Sequence, residues 1–158
     1  MKRVCTVEKF ADAKPIIEAL LVEQYAETGD ARVPLDPNWT LYETMEKLGR
    51  LVLVVVWEGE TPIGYAGGAL HTHSNSRQML IGTIPTWFIR PMPGRVFVEK
   101  AVLQGLQALL FKAGAQRVVI ETNADHSAAR LLEAMGGKAT KISYEFAPAV
   151  PKEEVSSA

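Results

Sequence analysis

The chain has 158 residues, 47% hydrophobic and 22% charged, with a net charge of −1. That is the size and mix of one ordinary globular domain, able to bury roughly 70% of its unfolded surface. The near-neutral balance and a pI near 6.3 argue against a nucleic-acid or anionic-membrane surface. The opening residues, Met1 to Lys9, form no signal-peptide core, and no apolar run reaches the length of a membrane span, so cytoplasmic residence is expected. Cys5 is the single cysteine. It can form no disulfide within the chain and reads as a buried small hydrophobe in an early strand rather than a catalytic thiol.

In chain order, residues 2–8 read as a short strand. From Phe10 to about Glu27, Ala13, Ile16, Ile17, Leu20, Leu21 and Tyr25 recur at helical spacing, with Pro15 near the start and Gly29 at the end. A proline-containing loop runs from Asp30 to Asn38. Thr40 and Glu43 have capping-box spacing and open a second, shorter helix with Leu41, Met45 and Leu48. Leu51–Trp57 is an unbroken β-branched run, the mark of a strand covered on both faces. A turn at Glu58–Thr61 leads into a second strand, Pro62–His71, and a polar turn at His73–Arg77 into a third, Gln78–Arg90. Pro85 cannot donate to a ladder, so it marks a bulge or a missing neighbour.

Beyond Pro91–Gly94 the period changes. Val98, Val102, Leu106, Leu109 and Leu110 share one helical face, and Gly114 stops it. Arg117–Glu121 is a short strand, which makes a strand–helix–strand crossover. Asp125 can cap a further helix carrying Ala128, Leu131, Leu132 and Met135. Gly136-Gly137 ends that helix, and Lys138–Phe146 alternates into a last strand. The order β-α-α-β-β-β-α-β-α-β predicts an α/β (α+β) domain over residues 1–146, a mixed sheet with helices on both faces. Residues 147–158 read as a flexible tail.

Several local sequences resemble the GNAT (Gcn5-related N-acetyltransferase) superfamily. The Leu51–Trp57 strand followed by Pro62-Ile63-Gly64-Tyr65-Ala66-Gly67-Gly68 looks like its central hairpin. Trp87-Phe88-Ile89-Arg90-Pro91 looks like the end of its fourth strand, Gly114-Ala115-Gln116-Arg117-Val118 like its helix exit, and Ala128–Gly137 like its "A-x-R-L-Y-E-x-L-G-F". The similarity covers roughly residues 1–146, and some GNAT-like proteins of tailed phages share this compact form.

The resemblance implies that the fourth strand splays from the fifth and that the pantetheine arm of acetyl-CoA enters the gap like an added strand, pairing with Phe88, Ile89 and Arg90. It implies a diphosphate loop over Gly94, Arg95, Val96, Phe97, Val98, Glu99 and Lys100, and it adds Asp125 to the cofactor-binding set. The family loop is "Arg/Gln-x-x-Gly-x-Gly/Ala", whose small residues let backbone amides close on the phosphates. Here Phe97 and Glu99 stand at the small positions. A like charge at about 4 Å, with an effective dielectric of ~20, costs on the order of 4 kcal/mol. Alternatively, Glu99 simply complements the helix dipole from the first turn.

For catalysis, Leu132 stands where the family has a tyrosine proton donor, and the fourth strand offers only Thr83 and Thr86 as polar groups. His71 and His73 are the base candidates and Tyr144 a second-choice acid. No spacing suggests a metal. Two functions follow as expectations. One is transfer of an acetyl group from acetyl-CoA to a small-molecule or protein amine by direct attack. The other is a GNAT-fold protein that has lost catalysis and serves as a structural component or binds a protein partner or a second copy of itself.

Overall fold

The structure is a computed structural model that describes residues 2–122 and 128–141. Strands β1 (Arg3–Glu8), β2 (Leu51–Glu58), β3 (Thr61–His73), β4 (Ser76–Ile89) and β5 (Arg117–Ile120) form a single sheet in sequence order. The first four make an antiparallel meander. β5 is parallel to β4, with Ile81 opposite Arg117 and Ile84 opposite Ile120. Helices α1 (Phe10–Thr28) and α2 (Trp39–Lys47) precede β2, α3 (Arg95–Lys112) joins β4 to β5, and α4 (Ala128–Ala134) follows. The fold class read from the sequence is therefore the one observed. Asp125, Tyr144 and the tail lie outside the described residues; residues 138–141 carry no strand, and the rest of the expected last strand lies outside as well.

β2 explains why the sheet is covered on both faces. Its Leu53, Val54, Val55 and Val56 are all buried, and because side chains alternate across a strand they feed two cores. Val54 and Val56 join Ala66, Ile84, Ile89 and the α3 residues Val102, Leu103, Leu106 and Leu110. Leu53 and Val55 join Tyr65, Phe88 and the α1 residues Phe10, Ala13, Ile17 and Leu20. Gly68 and Gly82 let α3 settle on the sheet, since a Cβ at either would stand 3.2 Å from Leu110 Cδ1.

Local details differ in four places. Cys5, expected to be buried, is exposed, because β1 is an edge strand covered only in part. α2 is capped by Asn38, whose side chain accepts from the Leu41 N–H at 3.2 Å, so Thr40 lies inside the helix rather than at its mouth. Pro15 is the sixth residue of α1, past the first four N–H groups that need no partner, and the helix runs on with one backbone bond fewer. α3 begins at Arg95, a turn ahead of Val98, because Gly94 takes φ +74° and turns the chain directly into it.

Candidate functional site

The site is made by β4 losing its neighbour. Opposite Gly67 and Ala69 stand Thr86 and Thr83, so one β3 residue faces two on β4 and the strand bulges at Ile84-Pro85. On the other side, β5 follows β4 only from Ile81 to Ile84, with a last bond from the Glu121 N–H to the Ile84 carbonyl at 3.2 Å. From Pro85 to Ile89, β4 has no strand beside it on that edge among the described residues. Divergence thus starts at Pro85, where the missing N–H ends the ladder. An open cleft forms there, walled by Gln24 and Thr28 of α1, Thr86, Trp87 and Phe88 of β4, Arg95 and Glu99 of α3, and Glu121 and Thr122.

Register decides which backbone groups face this gap. The Arg90 N–H donates to the Ile63 carbonyl at 2.8 Å, so Ile63 and Arg90 are a bonded pair. Bonded and non-bonded pairs alternate in an antiparallel ladder, and Tyr65 lies opposite Phe88. The backbone groups of Phe88 and Arg90 therefore turn toward β3. Those of Trp87 and Ile89 turn toward the gap. The backbone groups of Phe88 and Arg90, expected to face the gap, are thus taken by β3, whereas those of Ile89, and of Trp87 beside it, face the gap. Gly64 permits the close β3–β4 approach, because a Cβ there would overlap the Phe88 carbonyl oxygen.

Side chains divide by the same alternation. Trp87 and Ile89 pack on the α3 face and Phe88 on the α1 face, where Thr86 also points. There the Tyr65 hydroxyl donates to Gln24 Oε1. Gln24 Nε2 donates to Thr86 Oγ1 at 3.4 Å and to the Trp87 carbonyl at 3.3 Å. Burial, above all, pushes the Tyr65 phenol up to about 12, so it remains a neutral donor. Gln24, Tyr65 and Thr86 span up to 62 residues of chain, and no local pattern announces their meeting.

At the N-terminus of α3 the charges are already paired. Arg95 Nη1 donates to Glu27 Oε1 at 2.6 Å and Nε to Glu99 Oε1 at 3.0 Å, with the guanidinium 5.7 Å from the Phe88 ring centroid. Glu99 is thus paired with Arg95 one turn before it, but Arg95 also serves Glu27, so the three side chains together carry one negative charge. The first amides are engaged too: Arg95 N–H bonds the Met92 carbonyl at 3.2 Å and Phe97 N–H that of Gly94 at 3.0 Å. Phe97 is 75% exposed and Val96 48%, so Phe97 stands out into solvent rather than filling the loop. Val98 and Lys100 are half-buried along the helix. Next to this cluster Arg90 binds Glu23 through two bonds of 2.7 and 2.6 Å and the Pro62 carbonyl at 2.9 Å. The Arg90 hydrogen bonds hold the Glu23 carboxyl below its usual range.

The histidines lie elsewhere. His71 pairs with Ile81 and His73 with Ser76, at the tip of the β3–β4 hairpin. Four residues separate His71 from Gly67, about 13 Å of strand, and His73 Nδ1 accepts from the Asn75 N–H at 3.1 Å. Neither lines the cleft. Leu132 packs against the α3-side core. Among the described residues no three His, Cys, Asp or Glu side chains gather to hold a metal, and no helix is long and apolar enough to cross a membrane.

No protein-family model matches the chain, and no curated protein matches its sequence. Solved structures do. An aminoglycoside acetyltransferase from an uncultured soil metagenomic sample, crystallised with trehalose, superposes with a TM-score of 0.72 at 11% identity over 94% of this chain and 96% of that one. Glucosamine-6-phosphate N-acetyltransferase from Arabidopsis thaliana gives 0.71 at 13%, over 93% and 99%. AAC(6')-Iy in complex with a bisubstrate analogue of CoA gives 0.69 at 13%, over 93% and 98%. The chain has the fold of the GNAT acetyltransferases.

Proposed function

We propose that this protein is an N-acyltransferase that moves an acetyl group from acetyl-CoA to an amine by direct attack. The observation that carries the reading is the unpaired β4 edge from Pro85 to Ile89, which presents backbone groups of Trp87 and Ile89 to an open cleft. An extended, amide-bearing arm can add to such an edge as a strand does. Support also comes from the acetyltransferases that share the fold. In the reaction the amine nitrogen bonds the thioester carbonyl carbon, the carbon–sulfur bond breaks, and the amine gives up a proton. With both histidines at the hairpin tip, Glu121 in the cleft wall is the carboxylate placed to take that proton, directly or through water. A test is release of free CoA thiol from acetyl-CoA with a panel of primary amines. Amine-dependent release that Glu121→Gln slows tenfold or more supports the reading; tight CoA binding without release on any amine removes it.

A second reading has its own observation. Arg95 is held by two carboxylates and Leu132 has no proton to give, as in a GNAT-fold protein that has left catalysis for binding a macromolecule. Calorimetry with CoA separates the two. A ligand at 100 times its dissociation constant stabilises by about 2.7 kcal/mol, so a flat titration and an unmoved melting curve favour the second.

A further inference from the structure

We infer that Gln24 is an exchangeable cap on the open edge of β4, one that an amide-bearing ligand displaces. The inference rests on the reading that such a ligand enters the gap. The Trp87 carbonyl faces away from β3 and has no strand opposite it among the described residues. A carbonyl in a half-buried wall needs a donor, and Gln24 supplies one from α1 at 3.3 Å. The carboxamide thus stands where the N–H of an added strand would stand.

The geometry of the cap favours exchange. Its oxygen is fixed by the Tyr65 hydroxyl, whereas its nitrogen makes only long contacts, 3.3 Å to the Trp87 carbonyl and 3.4 Å to Thr86 Oγ1. Such lengths lie beyond the usual range for N–H···O bonds. When a ligand amide reaches the Trp87 carbonyl, Gln24 keeps its anchor on Tyr65 and turns its nitrogen fully to Thr86. The free edge is satisfied without closing the site, and releasing it strands no buried polar group.

The experiment uses Gln24→Met, which keeps length and volume but cannot donate, with Gln24→Ala as a second variant. The carbonyl carbon resonance of Trp87 is followed in the free proteins, and pantetheine and acetyl-CoA are titrated by calorimetry. Expected are a displaced Trp87 carbonyl resonance in both variants without ligand, and pantetheine binding tightened about two- to tenfold, the factor for one net hydrogen bond. An unchanged Trp87 resonance, or pantetheine held no tighter by either variant while acetyl-CoA still binds, overturns the cap and leaves the acyltransferase reading standing. Failure of both ligands on all three proteins overturns both, with Gln24 then only a bridge between α1 and the sheet.

Discussion

Glu27 and Arg95, 68 residues apart, meet at 2.6 Å where the C-terminal end of α1 passes the N-terminus of α3. That contact ties the helix covering one face of the sheet to the helix covering the other, across the mouth of the cleft. It also commits the guanidinium at the start of α3.

Removing the carboxylate leaves Arg95 to Glu99 alone and takes one negative charge from the cluster. Glu27→Gln is expected to tighten CoA binding about two- to fivefold, within the range of partly exposed ion pairs. Both partners keep about a quarter to a third of their side-chain exposure, 24% and 32%, so the gain shrinks as salt rises. Pantetheine, which lacks the phosphates, gains nothing. Isothermal titration of both ligands at two salt concentrations checks this, and equal gains for both would place the effect outside the phosphate site.

Gly64→Ala tests the strand geometry behind the open edge. The added Cβ would overlap the Phe88 carbonyl oxygen and stand 3.0 Å from Ile89 Cα. Those are backbone atoms in a paired segment, so relief requires β3 and β4 to part. A loss of about 2–4 kcal/mol is expected in urea unfolding. Gly105→Ala makes the contrast: nothing lies within 4 Å of its Cβ position, and an alanine in a helix interior adds about 0.5–1 kcal/mol instead.

What the sequence revealed and what it concealed follow from the range of the interactions. The β-branched run from Leu51 to Trp57 has to be buried on both faces because alternation leaves it no polar side. The apolar period from Val98 to Leu110 has to lie on a sheet. Pro85 has to end a ladder whatever lies around it. Each of these constraints is local. The gap-facing direction of Trp87 in place of Phe88 and Arg90 depends on a register that β3 imposes, with Ala66 opposite Trp87 and Tyr65 opposite Phe88. The same holds for the pairing at Glu99: its partner Arg95 is visible in the sequence at i−4, but Glu27, which shares that arginine, is not. His71 and His73 looked catalytic because histidine titrates near neutral pH, yet hairpin length carries them past the cleft.

Leu110→Ala probes the crossover core. Leu110 is fully buried and rests over Gly68 and Gly82, both without side chains to collapse into a void. The loss should sit in the upper part of the range for buried leucines, about 3–5 kcal/mol, measured by denaturant unfolding. Because Gly68 and Gly82 flank the β4 bulge, the same variant should also loosen the cleft, seen as amide exchange that speeds up more at Phe88 and Arg90, whose N–H groups bond β3, than at β2 residues.

Tyr65 makes a prediction about alkaline stability. Its phenol is pushed up from the ordinary 10.0 to about 12, mainly through burial; it is 2% exposed. Between those two values the unfolded chain has released the proton while the folded chain still holds it. The unfolded state then binds fewer protons, so stability falls as pH rises through this window. Below pH 10 both states are protonated and the residue contributes no slope. Two pH units correspond to about 2–3 kcal/mol lost by the upper end of the window. Tyr65→Phe cannot ionise and should lack that slope, while at neutral pH it should be about 1 kcal/mol less stable for want of the bond to Gln24. Urea unfolding of both proteins from pH 8 to 12, with tyrosinate absorbance followed in parallel, gives the two curves. They should start about 1 kcal/mol apart, cross within the window and end with the wild type the less stable of the two. Parallel curves across the window would show that Tyr65 titrates like an exposed tyrosine and that its hydroxyl is not enclosed with Gln24 and Thr86.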